Sequence, residues 1–259
     1  MLEKLRGIGV KFLVFLKYVG GIWTLFIEIL FWIFVPPLKR RQILEQMNKV
    51  GVSSLPIVIL TSLFTGMVLS LQSAYQMQKL SAEMYIASLV SLSMCRELGP
   101  VLTALVVAGR VGASITAELG TMKVTEQVDA LETLATNPIK YLAVPRFIAL
   151  IFMLPLLTIY ADFIGIVGGY MIGVGKLGIS SSLYLRMTFD PLVLKDFFTG
   201  LIKSVAFAII ICIVACFQGL NTEEGAEGVG RSTTISVVTS FIMLIAADCF
   251  FTALFYFAF

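Results

Sequence analysis

Five stretches, roughly 52–75, 85–109, 147–173, 197–219 and 233–257, are almost wholly apolar. A helix rises about 1.5 Å per residue, so about 20 such residues match the ~30 Å hydrocarbon core of a bilayer. Inside that core every backbone N–H and C=O must be satisfied by the chain itself, which leaves helices or a closed barrel. A barrel would show ~10-residue segments of alternating polarity, and these stretches do not alternate. Charged residues make up 14% of the chain, where soluble domains carry about 25%. The sequence therefore reads as an all-α polytopic membrane protein in one domain spanning 1–259: residues 50–259 form a core of five transmembrane helices, preceded by an N-terminal region, 1–49.

A sixth apolar segment, Tyr18–Val35, is aromatic and interrupted by Glu28. Lys4, Arg6, Lys11 and Lys17 precede it, and Lys39, Arg40 and Arg41 follow the stop at Pro36-Pro37. A crossing would strand one basic cluster on the wrong side of the membrane. The spacing instead predicts an interfacial or shallowly re-entrant helix, with basic ends among the headgroups. With 1–49 inside and five spans, the C-terminus is outside. Thirteen of the 19 Lys and Arg then lie inside, against four outside (Lys79, Lys176, Arg186 and Lys195).

The other two basic residues, Arg96 and Lys203, fall within spans. A charge at mid-bilayer costs about 2.5–3.5 kcal/mol on insertion scales, so Arg96 and its neighbour Glu97 call for partners. Neighbours on a helix diverge by about 100° and do not readily pair, so at least one needs a partner elsewhere in the protein or in a ligand. A guanidinium suits a phosphate. Pro100 withholds the N–H that the Arg96 carbonyl would accept, which marks Arg96–Pro100 as a polar, locally broken spot. On the preceding span Thr65, Leu69, Gln72 and Gln76 share one face, which fits either inter-helix hydrogen bonding or a wet cavity. Lys203 and Asp248, on antiparallel spans, are expected to form a structural ion pair. Asp162 has no partner legible in the sequence, and Gly165, Gly169 and Gly173 form a ladder for close helix packing.

Catalysis finds little support. There is no histidine, hence neither the commonest general base nor the commonest metal ligand. Cys95, Cys212, Cys216 and Cys249 all sit in apolar segments and read as core residues. Gly228-Val-Gly-Arg-Ser-Thr lacks the spacing and lysine of a phosphate-binding loop. No catalytic residue, cofactor, metal or nucleic-acid contact is expected. The inner loop, 110–146, is the one sizeable soluble element. Within it Val124, Val128, Leu131 and Ala135 predict one helix over 123–135, with Glu126, Asp129 and Glu132 on its polar side. Surface helices on lipid are usually basic, so an acidic face suits a cytoplasmic protein partner.

Several motifs stand in order along the chain: Lys49-Val-Gly-Val-Ser53, Gly66–Gln72, Arg96-Glu-Leu-Gly-Pro100 and Ala108-Gly-Arg-Val-Gly-Ala-Ser-Ile-Thr-Ala-Glu-Leu-Gly120. Thr125-Glu-Gln-Val-Asp-Ala130, Asn137-Pro-Ile and Ile202-Lys-Ser-Val-Ala-Phe207 follow. Together they resemble the MlaE/YrbE family of bacterial ABC-transporter permeases. The resemblance implies a homodimer of five-span subunits in the inner membrane, with the N-terminus cytoplasmic and the C-terminus periplasmic. It also implies a separate cytoplasmic ATPase, a small STAS-domain protein, an outer-side ring of MCE proteins, and phospholipid as cargo moved between inner and outer membranes. The helix 123–135 would then be a coupling helix, with Glu118, Lys123, Glu126, Asp129 and Glu132 as contacts to the ATPase. The lipid-binding positions would be Leu69, Gln76, Leu80, Arg96, Glu97 and Leu98, beside Thr65 and Gln72 on the polar face.

Overall fold

The computed structural model describes residues 2–37, 39–223 and 225–258, and among these it is helical without strands. In chain order the helices are α1 (Leu2–Ile33), α2 (Arg40–Val50), α3 (Leu55–Gln78), α4 (Ile86–Ser93), α5 (Gly99–Val107), α6 (Ala113–Val124), α7 (Gln127–Thr133), α8 (Val144–Gly175), α9 (Ser181–Phe189), α10 (Leu194–Leu220) and α11 (Gly225–Ala258). Single π-helical turns, Met94–Leu98 and Ala108–Gly112, join α4, α5 and α6 into one continuous rod, and a third, Ile139–Ala143, leads into α8.

Among the described residues six helical runs, one more than the five strong spans, are long and apolar enough to cross a membrane. The addition is Leu16–Ile33 in α1. It leans on the bundle through Leu25 and Ile29, and Gln218 donates to the Tyr18 hydroxyl at 2.6 Å. The side chains of Lys4, Arg6 and Lys11 lie outside the described part.

The π turns replace the break expected at Pro100. The Gly99 N–H bonds to the Met94 carbonyl, and the Val144 N–H to the Ile139 carbonyl, each five residues back. A proline follows in both cases, Pro100 and Pro145. A proline ring would clash with the carbonyl four residues before it. Widening the turn by one residue removes that clash and keeps the helix whole.

Close packing follows small residues. On α3 the buried stripe is Val58, Ser62, Gly66, Ser70 and Ala74, and it lies against α8. A Cβ on Gly66 would strike the Gly165 carbonyl, and one on Gly168 the Leu63 carbonyl, so the two backbones nearly touch. The rungs Gly169 and Gly173 of the ladder instead receive Val90 and Tyr184. The ladder thus serves contacts within the chain. The most buried helix, α10, runs through the middle, and Gly219 lets it approach Leu119 and Thr116 of α6. The Thr116 hydroxyl lies 3.1 Å from the Ala215 carbonyl and 2.8 Å from the Ser236 hydroxyl, joining α6, α10 and α11.

The inner loop is shorter than the sequence suggests. Residues 110–124 are helical because their polar groups are satisfied internally. Arg110 donates to Ser54 at 2.7 Å, and Glu118 meets both Arg146 (2.9 Å) and Lys49 (3.1 Å). The expected single helix over 123–135 is two pieces. Thr125 closes α6, Glu126 adopts a left-handed backbone with φ 59°, and α7 starts afresh. Of the expected apolar stripe, Val128 is buried and Val124 and Leu131 are half-buried. Ala135, also left-handed (φ 54°), is exposed.

Replacing Gly66 by leucine should separate α3 from α8 and lower the melting temperature in detergent sharply, since overpacking alone costs about 1–3 kcal/mol. The same exchange at Gly175, where a Cβ meets nothing within 4 Å, should leave melting nearly unchanged.

Candidate functional site

Arg96 and Glu97 sit on the π turn, and both find partners on α10 and α11 rather than on α3. The Arg96 guanidinium grips one oxygen of Asp196, with Nε at 2.8 Å and Nη2 at 2.7 Å. The other Asp196 oxygen accepts the Val193 backbone N–H at 3.3 Å, which caps the start of α10. A carboxylate there also suits the helix dipole.

Glu97 reaches Lys203. The ammonium lies 2.6 Å from Glu97 Oε2, 3.0 Å from Asp248 Oδ1 and 2.8 Å from Thr252 Oγ1, so all three of its donors are used. The Thr252 hydroxyl donates to Glu97 in turn, at 3.1 Å. Lys203 is 1% exposed, and a cation so sealed is tolerable only when paired and fully hydrogen-bonded. The expected Lys203–Asp248 contact is present as one arm of a larger network that also holds Glu97.

These groups wall a cavity of about 500 Å³, lined by Arg96, Glu97, Lys195, Asp196, Thr199 and Lys203 with Thr252, Phe255 and Tyr256. Its size falls within the ~300–1,000 Å³ usual for ligand sites. On the wall three cations (Arg96, Lys195, Lys203) face two carboxylates (Glu97, Asp196), while Asp248, outside the lining, also pairs with Lys203, so the wall is polar with a slight positive balance. Arg96 keeps 53% of its side chain exposed despite its ion pair.

The remaining sequence-read positions lie elsewhere. Leu69 and Leu98 join a small apolar cluster with Ile86, Val90 and Met94. The Thr65 hydroxyl turns back to the Thr61 carbonyl at 2.7 Å. Gln72, Gln76 and Leu80 are exposed in the single chain. On the inner side Glu126, Asp129 and Glu132 are exposed as expected. Lys123 is tied to Asp129 at 2.7 Å, bracing the corner between α6 and α7. Glu118 sits on α6 in the ion triad with Lys49 and Arg146, away from α7.

Asp196 and Thr252 escaped the sequence reading: an aspartate opening a helix looks like an ordinary cap, and a lone threonine in an apolar span carries no signal. Asp162 is 5% exposed and packs over Gly99, with Oδ1 lacking a hydrogen-bond partner. Among the described residues no His, Cys, Asp and Glu group could hold a metal ion.

A bundle of helical runs long and apolar enough to cross a membrane, with a polar cavity beside Arg96, defines an integral membrane protein. The family model described as Permease MlaE matches residues 43–254. A probable ABC transporter permease protein of Rickettsia typhi is 50% identical over 235 residues, 90% of this chain and 91% of its own length. One from Rickettsia felis is 46% identical over 256 residues, covering 99% of both chains. A cyanobacterial relative from Synechocystis is 46% identical over 213 residues, 82% of this chain and 81% of its own. The chain belongs to the MlaE permease family.

Lys203→Met should destabilise the protein by about 1–3 kcal/mol, because it leaves the half-buried Glu97 and Asp248 carboxylates without their cation. Adding Glu97→Gln and Asp248→Asn should recover much of that loss. Unfolding midpoints of the wild type, Lys203→Met, the triple variant and the Glu97→Gln/Asp248→Asn variant that keeps Lys203, compared as a mutant cycle, check the coupling.

Proposed function

We propose that this chain is the membrane-spanning subunit of an ATP-driven transporter that moves phospholipid between the inner and outer membranes, and that the Arg96 cavity receives the lipid headgroup. The observation that carries this reading is the half-exposed Arg96 guanidinium at the wall of an intramembrane cavity. Asp196 engages Nε and Nη2, leaving Nη1 as a donor edge for a phosphate oxygen. The lining holds three cations and two carboxylates, a slight positive balance that attracts a phosphate-bearing headgroup without holding it tightly. Glu97 acts as the anchor that, through Lys203, keeps the π turn facing α10.

ATP hydrolysis belongs to a separate cytoplasmic subunit, as the relatives' naming as ABC permeases supports. Its docking surface is α7, where Glu126, Asp129 and Glu132 are presented on a short helix set off by the Glu126 turn. Glu118 and Lys123 act behind it as positioning residues, holding α6 to α2 and α8 and bracing the corner. The N-terminus and α7 lie on the cytoplasmic side and the C-terminus on the periplasmic side, as the distribution of Lys and Arg supports. A second copy of the chain covers the exposed Gln72, Gln76 and Leu80 and completes the passage with Thr65, Leu69 and Leu98. Amides facing lipid would be poorly satisfied, which supports a covered face. The family resemblance further supports an MCE ring outside, a STAS-domain protein inside, and α1 lying in the interface.

Arg96→Ala should lower phospholipid transfer in the reconstituted complex at least about tenfold, equivalent to about 1.4 kcal/mol, while the ATPase still co-purifies. Normal transfer by the assembled variant would reject the headgroup assignment. Reversing Asp129 and Glu132 to lysine should instead lose the ATPase on purification, and its retention would reject the docking surface.

A further inference from the structure

The turn between α1 and α2 closes over a second cavity, of about 330 Å³, bounded on its far side by the loop after α7 and the start of α8. Its position is at the other end of the molecule from the Arg96 cavity: it meets the first residues of α8, whereas the Arg96 cavity meets the first residues of the antiparallel α10. Its lining divides into two kinds of surface. Trp32, Ile43, Tyr141 and Pro145 are apolar, while Lys39 and Lys140 bring two ammonium groups, and no carboxylate lines it.

Both lysines are held over aromatic rings rather than by acids. Lys39 Nζ stands 3.7 Å from the centre of the Tyr141 ring, and Lys140 Nζ stands 5.2 Å from that of Trp32 while donating to the Pro36 carbonyl at 3.3 Å. Among the described residues neither ammonium meets a carboxylate. A cation over a ring at an exposed site is only weakly held, and each ammonium has donors to spare. Two like charges converging on one cavity repel each other, and an anion between them would relieve that.

The surroundings say which anion. Phe31, Leu44 and Leu134, next in sequence to lining residues, are exposed, and so is Phe34, two residues after Trp32, to 83%. Exposed aromatic and aliphatic side chains beside lysines are the pattern of a membrane–water interface, where acyl chains cover the apolar part and headgroups meet the cations. Arg40 adds positive field at the same spot, where a basic residue is drawn to an anionic leaflet, while Arg41 is paired with Glu45 at 3.2 Å. We propose that this cavity binds the phosphate-bearing headgroup of an anionic phospholipid, clamped between Lys39 and Lys140, at a site separate from the Arg96 cavity and independent of whether that cavity carries cargo.

The test uses the full chain, with Trp23→Phe leaving Trp32 as the only tryptophan, in phosphatidylcholine nanodiscs with a rising fraction of phosphatidylglycerol. Trp32 emission should change saturably with phosphatidylglycerol. Lys39→Gln with Lys140→Gln should weaken the apparent affinity at least about fivefold, whereas Lys39→Arg with Lys140→Arg should keep it. A linear response, no response, or an unchanged affinity in a folded Gln variant would overturn the site. If the Gln variant does not fold, the wild-type series decides: replacing phosphatidylglycerol by zwitterionic phosphatidylethanolamine must abolish saturation, and persistence would overturn the proposal. Millimolar inorganic phosphate giving the same saturable change in pure phosphatidylcholine discs would assign the pocket to a soluble anion and overturn the lipid.

Discussion

A lysine ammonium sealed inside a membrane-spanning bundle dictates much of what surrounds it. Lys203 is buried in the N-terminal half of α10, and its solvation has to be replaced group by group: two carboxylates and a hydroxyl occupy its three donors. Removing any one leaves a charge or a donor without compensation in a medium where that is costly. The requirement fixes the rotation of α11, which must present Asp248 and Thr252 four residues apart on one face. It also fixes the π turn, which must aim Glu97 inward. The cavity beside Arg96 has its shape because these constraints are met simultaneously.

The π turn reconciles two demands that adjacent residues could not otherwise satisfy. Arg96 and Glu97 diverge, yet their partners Asp196 and Lys203 lie seven residues apart, two turns along one face of α10. The two side chains therefore straddle that face, one reaching toward the helix start and the other about 10 Å deeper. Gly200, between the two partners, has no side chain to hold the helices apart: a Cβ there would meet the Cys95 carbonyl. Charge, a widened turn and a glycine thus act as one joint. Pro100, directly after it, makes an ordinary α-helical turn at this point unfavourable.

What the sequence made legible were costs borne by single residues. A charge in an apolar span, a proline in a helix and glycines at helical spacing are each anomalous without reference to any neighbour. The helical class, the importance of Arg96 and Glu97 and the existence of close packing could be read in this way. Partnerships were harder, because they depend on how each helix is rotated. Glu97 could not be joined to Lys203, nor Arg96 to Asp196, from spacing alone, and the polar face of α3 looked as good a destination. Helix continuity was misjudged in both directions for a related reason. Arg110 and Glu118 look like loop residues until Ser54, Arg146 and Lys49 are seen to satisfy them. The stop at Glu126 leaves no trace in hydrophobic periodicity, because a left-handed backbone at a non-glycine residue is imposed by the surrounding structure.

The same packing gives the two ends of the bundle a common mechanical element. Toward its C-terminal end α10 is held by Thr116 of α6 through the Ala215 carbonyl, and toward its N-terminal end it carries Asp196 and Lys203. Unbroken helix runs from Asp196 to Ala215 between these attachments, about 28 Å of stiff rod. The rod formed by α4, α5 and α6 runs beside it and contains two π turns, at Met94–Leu98 and Ala108–Gly112. Of the two rods, α10 is the stiffer and more buried, and the other holds the places where a helix changes register most easily. A displacement imposed at α7 would enter through α6, meet α10 at Thr116, and reach the cavity by two routes: tilt of α10, or a register change at the π turn. The second route requires Glu97 to leave a fully satisfied ammonium, so the charge network favours tilt. Arg96, half exposed and held by a single carboxylate oxygen, is the member of the pair that such a tilt can release.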